Sequence, residues 1–449
     1  MDPELDVPLD IQLPAYELDV VERSPTYSER PGLSEIRLHP EPLSPNPSCS
    51  TQHWRCETKH MKIDLGPHIW GLSSPSYGQN GTVVGSIRLT GQRLNIEQLS
   101  VTFEGRLTTF RPYYGPNSDT AATVVSHTVQ LYSACTGVAF PWDKEHHFSM
   151  PIPSEVNTPG GSTVPTPPSY NCYFYGSALG LAYSIKIDLV HKSNGIRKHE
   201  SKVIPVYYLP KSRPTEPQLS TIPRPARLQD DSPLYLSWLD KVHTTPVIPS
   251  WPSRCKQSLE PFEKSIFLSL PDPLVACSGD NLPFGISLIY PSDPALAKIL
   301  TRCIRVTLVK RILFGPRRRL LGKSDDTESA HSEWVLDTGE LKSQNEFAEG
   351  VRLLRGFVKV GGRGREASWH VDCTGVQYLL KLSIVPPKHM ACYIPVFSAE
   401  VPVEVTTDHW DPLAYREESS LDGIPTPAIG LASDPSANWI GTSAYGSVV

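Results

Sequence analysis

At 449 residues the chain is too long for one hydrophobic core and long enough for two domains with tails. Its hydrophobic content of 39% is low for a wholly folded chain, and 45 prolines indicate long segments outside regular structure. The formal net charge of −5 is unevenly spread, because residues 1–60 hold eleven acids and five bases and residues 409–449 hold five acids and one base. The middle of the chain is therefore mildly basic, which favours anionic or phosphorylated partners; acidic tails that serve only solubility are the alternative.

Hydropathy and cysteine usage predict a cytoplasmic protein. No apolar run approaches the roughly 20 residues that span a bilayer, and the acidic amino terminus does not have the form of a signal peptide. The nine cysteines are odd in number, scattered and without a Cys-x-x-Cys pair. This spacing favours reduced thiols over a disulfide framework or a zinc site, so the sequence predicts no metal ligands and no cofactor.

Residues 1–58 contain nine prolines, many acids and no sustained periodicity, and we expect them to form a disordered acidic leader. The first predicted domain, residues 59–210, has strand-like runs separated by turn clusters. These runs are 60–65, 82–89, 96–103, 123–131, 146–152, 182–190 and 202–209. No segment carries a helical stripe of ten or more residues, so the pattern favours an all-β fold.

Residues 211–257 are rich in proline and predict a linker, because such a stretch cannot sustain a sheet ladder. Strand-like runs resume in the second predicted domain, residues 258–408. They are 264–270, 282–290, 303–313, 351–360, 378–385 and 397–405. In the last run Pro402 predicts an edge strand. Residues 409–449 are polar and small, and they predict a disordered tail.

One run in each predicted domain echoes the other. Ala182-Tyr-Ser-Ile-Lys-Ile-Asp-Leu189 and Gln377-Tyr-Leu-Leu-Lys-Leu-Ser-Ile384 each have a tyrosine, then alternating apolar residues around a central lysine. Alternation of this kind predicts half-buried strands in which Tyr183 and Tyr378 face a core and Ser184 faces water. The echo, with roughly seven strands per block, predicts two tandem antiparallel β-sandwiches.

Motifs in both blocks resemble the arrestin family. Gly85-Ser-Ile-Arg-Leu and Val101-Thr-Phe-Glu-Gly105 are similar to the opening strands of an arrestin amino-terminal domain, and Ser278-Gly-Asp-Asn-Leu-Pro-Phe284 and Val403-Glu-Val-Thr-Thr-Asp408 are similar to parts of the carboxy-terminal domain. The resemblance covers residues 60–210 and 258–408 and is nearest to the α-arrestins of fungi and animals. It implies a cytosolic adaptor in membrane-protein trafficking and endocytosis, at the plasma membrane or endosomes, and not an enzyme.

The leader carries two tyrosine motifs, Leu13-Pro14-Ala-Tyr16 and the shorter Pro25-Thr-Tyr27. A WW domain binds such a motif because proline holds the peptide extended while the tyrosine fills a pocket. The resemblance implies that these motifs recruit a HECT-type ubiquitin ligase; ordinary disordered sequence is the alternative. Residues 409–449, where the family usually holds such motifs, contain none. Pro167-Pro-Ser-Tyr170 also matches, but it lies within the first predicted sandwich and is expected to be a fold element.

Six basic residues follow a strand-like run in the second block. A loop with this charge can hold acidic lipid headgroups or phosphorylated tails through charge-assisted hydrogen bonds. The acidic run at 325–328 directly after it can neutralise it, so a solvated hairpin is the alternative. No aromatic residues interleave with the bases, which disfavours nucleic-acid binding. The predicted patch consists of Lys310, Arg311, Arg317, Arg318, Arg319 and Lys323.

Catalytic motifs are missing from the sequence: it has no GxSxG, P-loop, GxGxxG after a strand or HExxH. We therefore expect no catalytic residues and a scaffolding role for a membrane transporter or receptor. Two other functions stay open. One is a retromer-type sorting subunit, which shares the double sandwich, and the other is a carbohydrate-binding or hydrolytic β-sandwich protein.

Overall fold

The fold was analysed in a computed structural model of the chain. It describes residues 52–90, 95–110, 120–136, 140–142, 144–158, 161–174, 177–193, 195–222, 241–251, 258–316, 329–411 and 424–433. The chain divides into two compact units, Met1–Thr51 and Gln52–Val449, and all described residues belong to the second. No helix within these ranges is both long and apolar enough to cross a bilayer.

Twelve strands lie in the first part of the described chain, which we call the amino-terminal block. They are β1 (His53–Glu57), β2 (Met61–Pro67), β3 (Ser76–Tyr77), β4 (Thr82–Leu89), β5 (Asn95–Phe110), β6 (Thr120–Ser133), β7 (His146–Pro151), β8 (Glu155–Asn157), β9 (Thr163–Pro165), β10 (Tyr170–Phe174), β11 (Ser177–Ser193) and β12 (Ile196–Tyr208). One sheet has the order β1-β2-β4-β7 and a second has the order β3-β12-β11-β5-β6, with β10 on β11. Strands β8 and β9 form a separate small hairpin.

Twelve further strands form the carboxy-terminal block. They are β13 (Val242–Pro246), β14 (Ile248–Ser250), β15 (Ile266–Pro271), β16 (Val275–Cys277), β17 (Asn281–Ile289), β18 (Ile304–Pro316), β19 (Ser329–Thr338), β20 (Glu340–Ala348), β21 (Val351–Lys359), β22 (Trp369–Val371), β23 (Thr374–Ile384) and β24 (Val396–Thr406). The sheet orders are β13-β15-β17-β21-β20 and β14-β24-β23-β18-β19, with β16 on β24 and β22 on β23. The α-helix α1 (Pro294–Thr301) joins β17 to β18, and the Asp293 side chain caps it by accepting the Leu296 N–H at 3.0 Å.

The two blocks repeat one strand order. In each, the penultimate long strand (β11 or β23) pairs antiparallel with the strand after it (β12 or β24) and with an earlier strand (β5 or β18). A short strand (β3 or β16) pairs parallel with the end of the last strand, and every other strand pair among the described residues is antiparallel. The echo between the tyrosine runs therefore corresponds to two topologically equivalent sheets in an all-β, sandwich-type fold.

Alternating burial of β11 and β23 explains the echoed sequence. Tyr183 and Tyr378 are each only 1% exposed, and the apolar residues that alternate after them are fully buried, among them Ile185 and Leu382. The predicted inward face is therefore confirmed in both strands. Ser184 was expected to face water but is buried, because its small side chain lies between its register neighbours Glu104 and Pro205. Buried apolar side chains of both blocks belong to one continuous core.

The predicted linker at 211–257 is wrong in part. Residues 242–250 form β13 and β14, which join the two sheets of the carboxy-terminal block. Prolines are tolerated there because Pro246 ends its strand and Pro249 lies in a three-residue edge strand. The parts at 223–240 and 252–257, like the leader at 1–51, lie outside the described residues.

The predicted tail also differs from the structure. Residues 424–433 lie against both blocks and end in a 3₁₀ turn, Ile429–Ser433, with Pro427 and Ala428 buried. The prediction that Pro402 lies in an edge strand is wrong, because β24 has β23 on one side and β14 and β16 on the other. Proline is tolerated at position 402 because β14 pairs with residues 396–398 and β16 with residues 404–406, so neither pairs with residue 402.

Candidate functional site

A cavity lies where the two blocks meet. It has a volume of about 820 Å³, a size typical of ligand sites. We call it the interface cavity. Its lining comes from the amino-terminal block (Gln79, Ser154, Pro165, Thr166, Pro167, Pro168, Tyr208), the connecting segment (Pro210, Lys211, Ser212, Arg213), the carboxy-terminal block (Leu274, Ala367, Ser368, Trp369, His370, Val376, Gln377, Tyr378, Pro402, Val403, Glu404) and the 424–433 segment (Pro425, Thr426).

Charged and aromatic groups give the cavity a defined chemistry. Lys211 and Arg213, on the connecting segment, each bring a positive charge to the lining, and Glu404 brings a negative charge. Trp369 is 7% exposed, and its indole N–H has no hydrogen-bond partner among the described residues. Buried donors are normally satisfied, so an unpaired, buried N–H on a residue of the cavity wall is unusual. The prolines and the two cations of the lining can therefore hold an occupant that combines apolar surface with acidic groups.

A buried polar network lies behind one wall of the cavity. The Tyr378 hydroxyl donates to a Glu366 carboxylate oxygen at 2.6 Å, and the Lys310 ammonium contacts the same oxygen at 2.7 Å. Burial raises the pKa of Tyr378 well above its usual range, and the negative charge of Glu366 adds to that effect. Tyr378 therefore acts as a neutral hydrogen-bond donor that helps to hold Glu366 in place.

Aromatic rings connect this network to the amino-terminal block. The Tyr170 ring in β10 contacts the Trp369 ring in β22 edge-on, with centroids 5.4 Å apart. The Lys310 ammonium lies 5.5 Å from the centroid of Tyr170 and 5.4 Å from that of Trp334. A desolvated ammonium between two rings gains cation–π attraction in addition to its ion pair. Lys310, buried within the carboxy-terminal block, thus also contacts the other block.

The connecting segment is fixed to the end of β24 beside the cavity. The Ser212 N–H donates to the Thr407 hydroxyl at 2.9 Å, and the Thr407 N–H donates to the Ser212 hydroxyl at 3.0 Å. The Asp408 N–H donates to the Ser212 carbonyl at 3.0 Å. These reciprocal bonds hold Lys211 and Arg213 at the cavity wall.

The 424–433 segment forms another part of the wall. The Ala428 N–H donates to the Leu209 carbonyl of the amino-terminal block at 2.9 Å. Gly430 lies directly on Gly364 of the carboxy-terminal block, and a Cβ at position 430 would collide with the Gly364 carbonyl. Gly78 is similarly close to the Thr426 carbonyl, at 2.9 Å from where a Cβ would lie. Glycine is required at these positions because backbones approach closely there.

The predicted basic patch differs from its expected form at two residues. Lys310 is 3% exposed and paired with Glu366, so its charge is not part of an exposed surface. Arg311 is half-buried and donates to Glu333 at 2.6 Å, and it also contacts Glu400 at 3.2 Å. The alternation of β18 explains this, because one side chain faces inward and the next lies on a sheet face lined with acids. The remaining patch residues, Arg317, Arg318, Arg319 and Lys323, lie outside the described residues.

The structure does not test the two predicted WW-type motifs. Leu13, Pro14, Tyr16, Pro25 and Tyr27 lie outside the described residues. The third match, Pro167-Pro-Ser-Tyr170, is a fold element as expected: Pro167 accepts the Tyr183 hydroxyl at 2.6 Å, and Tyr170 begins β10.

Comparison with known proteins adds nothing to this geometry. No protein-family model matches the chain, and no curated protein matches it in sequence. The function is therefore argued from the interface cavity and from the sequence motifs.

Sequence reasoning missed the residues that define the cavity. Trp369 lies in a three-residue strand, and Lys211 and Arg213 lie in a stretch that predicts only a linker. The one available signal was the pair of cations between two prolines in Pro210-Lys-Ser-Arg-Pro214, because proline restricts the backbone on both sides of them.

Proposed function

We propose that the chain is an arrestin-like adaptor that scaffolds the trafficking of a membrane protein, with a cytosolic segment of that protein held in the interface cavity. One observation carries the proposal: two topologically equivalent blocks meet around a cavity of about 820 Å³ whose wall holds an unpaired, buried Trp369 N–H. Sites for partners and ligands commonly lie between domains, where a few placed polar groups fix an otherwise apolar contact.

The lining suits an extended peptide. Its prolines at 165, 167, 168, 210, 402 and 425 give a rigid apolar wall that loses little entropy on binding. Lys211 and Arg213 favour a segment that is acidic or phosphorylated, because cations bind such groups through charge-assisted hydrogen bonds.

A second part of the proposal concerns recruitment. The tyrosine motifs that end at Tyr16 and Tyr27 would engage a WW-domain HECT ubiquitin ligase, so that the bound membrane protein is ubiquitylated and sorted. Arg317, Arg318, Arg319 and Lys323 would add contact with anionic lipid. Neutralising the three arginines together should then lower recruitment to anionic vesicles at modest salt, and unchanged recruitment would remove the lipid contact from the proposal.

The experiment that tests the proposal is proximity labelling in cells with the full chain and a charge-reversal pair, Lys211→Glu with Arg213→Glu. We expect membrane transporters or receptors among the labelled proteins and a loss of most of that labelling in the pair. Lys298→Glu with Lys388→Glu is the matched control, because both lysines are exposed and neither lines the cavity.

Two results would overturn the proposal. One is equal labelling of membrane proteins by both charge-reversal pairs. The other is turnover of a glycan or ester by the purified chain that is lost when a single carboxylate is changed, which would favour the hydrolytic alternative instead.

A further inference from the structure

A second constellation lies outside the cavity, at the turn between β16 and β17. Cys277, Asp280 and His409 each offer one potential metal-binding atom, and these atoms all lie within 4.8 Å of one another. The His409 Nδ1 and an Asp280 carboxylate oxygen are 2.9 Å apart. The sequence predicted no metal ligands because the histidine is far from the other two residues along the chain.

The sheet explains why these residues meet. Cys277 is the last residue of β16 and lies opposite Thr406 in the parallel pair with β24. The chain continues past Thr406 to His409, while the β16–β17 turn carries Asp280 back toward the same point. The Ser278 N–H donates to the Thr406 carbonyl at 2.8 Å, which joins the turn to the end of β24.

The backbone of this turn is held by further hydrogen bonds. The Asp280 N–H donates to the Cys277 carbonyl at 3.0 Å, and the Gly279 N–H donates to the Val360 carbonyl at 2.7 Å. The Val360 N–H donates in return to the Asp280 carbonyl at 2.8 Å. Gly279 has φ of +93°, a conformation that only glycine adopts easily, so the turn is fixed by sequence as well as by bonding. Two of the three ligands are therefore presented on a preorganised frame.

We propose that Cys277, Asp280 and His409 bind a zinc ion, with the fourth tetrahedral position left for water. A thiolate, an imidazole and a carboxylate together are a donor set that suits Zn²⁺ and disfavours the harder Mg²⁺ and Ca²⁺. In a tetrahedral zinc site, ligand atoms lie about 3.3–3.6 Å apart, as follows from bond lengths of about 2.0–2.3 Å. The three atoms lie within 4.8 Å of one another, so reaching that spacing takes a shift of roughly 1 Å at the widest pair. His409 is the least buried of the three residues, with a side chain 53% exposed.

Local charge and access agree with a cation. Asp280 brings a formal negative charge to the cluster, which favours a divalent cation. Asp280 and His409 are 37% and 53% exposed, so the ion reaches the buried sulfur from the solvent side. Bound zinc would fix the chain beyond β24 to the β16–β17 turn.

Cobalt substitution of the full-length protein tests the site, because Co²⁺ adopts the same geometry and a cobalt–thiolate bond gives a near-ultraviolet charge-transfer band. We expect one Co²⁺ per chain with this band, and stoichiometric Zn²⁺ should displace it. Cys277→Ser should abolish the band. His409→Gln should weaken metal binding at least tenfold, the lower limit seen when even an outer-shell partner of a metal is removed.

The controls are Cys303→Ser and His389→Gln. Cys303 has a half-buried thiol bonded to the Ile299 carbonyl, and His389 is an exposed histidine on a 3₁₀ turn. Both controls should keep the band and the affinity. Should Cys277→Ser fail to fold, the exposed His409 variant still decides the matter. The proposal is overturned if the wild type shows no thiolate band with equimolar Co²⁺, or if the His409 variant binds as tightly as the His389 variant.

Discussion

Lys310 is a buried cation within the carboxy-terminal block. Its ammonium is buried, paired with Glu366 and placed near the rings of Tyr170 and Trp334. Burying a charge is costly unless a partner offsets the desolvation, and removing one member of a buried pair typically costs about 3–5 kcal/mol. The buried Lys310 charge therefore depends on Glu366 in its own block and on the Tyr170 ring of the other block.

Removing the Tyr378 hydroxyl tests this network against its counterpart in the other block. Tyr378→Phe takes a donor from the charged Glu366, and Tyr183→Phe takes a donor from the neutral Pro167 carbonyl. Because hydrogen bonds to charged groups are stronger, we expect the free energy of unfolding to fall by about 1.5–3 kcal/mol in the first variant and by about 0.5–1.5 kcal/mol in the second. Urea denaturation of both variants measures the difference. A larger loss for Tyr183→Phe would contradict the assignment of Glu366 as a buried carboxylate.

His191 gives a prediction about pH. It is 3% exposed, its Nδ1 has no hydrogen-bond partner within the described ranges, and the His60 ring lies 5.3 Å away. Burial lowers the pKa of His191, and His60 and Lys198 lower it further, against an opposing effect of Glu200. Below the usual histidine value of roughly 6.5, the unfolded chain therefore binds a proton at this position that the folded chain resists.

Stability should consequently fall as the pH drops from neutral through the usual histidine range and toward the lowered pKa of His191. His191→Gln removes the titrating group, so the variant should lose less of its free energy of unfolding between pH 7 and pH 5 than the wild type does. Denaturation at a series of pH values measures both slopes. Equal slopes would show that His191 does not resist protonation in the folded state.

Among the elements, the long central strands were predictable and the short ones were not. β11 and β23 alternate apolar and polar residues because one face packs on the core, and that pattern is visible in the sequence. β3 and β16 have two and three residues, too few for any period, and they form because β12 and β24 offer open edges far away in sequence. Proline content predicted a linker at 242–250. The prediction failed because composition does not show that the strands there lie at sheet edges, where proline is tolerated.

The close contact between the 424–433 segment and Gly364 can be tested by substitution at position 430. Gly430→Val should displace the segment, because any side chain at this position collides with Gly364. The Ala428 amide should then exchange with solvent faster, since its bond to Leu209 is lost, and the melting temperature should fall. Ile429→Ala is the control, because that side chain is 39% exposed. Unchanged exchange at Ala428 in the Gly430 variant would mean that the segment is held by other contacts.

For the whole molecule, the repeated strand order could be expected from the sequence, but the candidate site could not. The echo between the Tyr183 and Tyr378 runs predicted two similar sheets, because equivalent strands need equivalent alternation. The interface cavity depends on which surfaces the blocks turn toward each other, and no local pattern encodes that. Trp369 and Tyr170 illustrate the point, since each lies in a short strand and their contact joins different blocks.

The tyrosine motifs of the leader predict binding to a WW domain. A peptide of residues 8–30 should bind a WW domain of a HECT ligase with micromolar affinity, because Leu13-Pro-Ala-Tyr16 offers a proline-extended backbone and a tyrosine. Tyr16→Ala should abolish most of the binding, and Tyr27→Ala should reduce it less, since Pro25-Thr-Tyr27 is the shorter motif. Fluorescence polarisation measures all three peptides. Equal affinity of the Tyr16 variant and the unchanged peptide would remove the ligase from the proposed function.

The adaptor account is tested most directly by photo-crosslinking from inside the interface cavity. Gln377 is exposed and lines the cavity, and Lys342 is exposed on β20 outside it. With a photoreactive amino acid at position 377 of the full-length chain in cells, we predict crosslinks to cytosolic segments of membrane proteins, and few or none from position 342. Crosslinks of the same proteins from both positions, or none from position 377, would contradict the account.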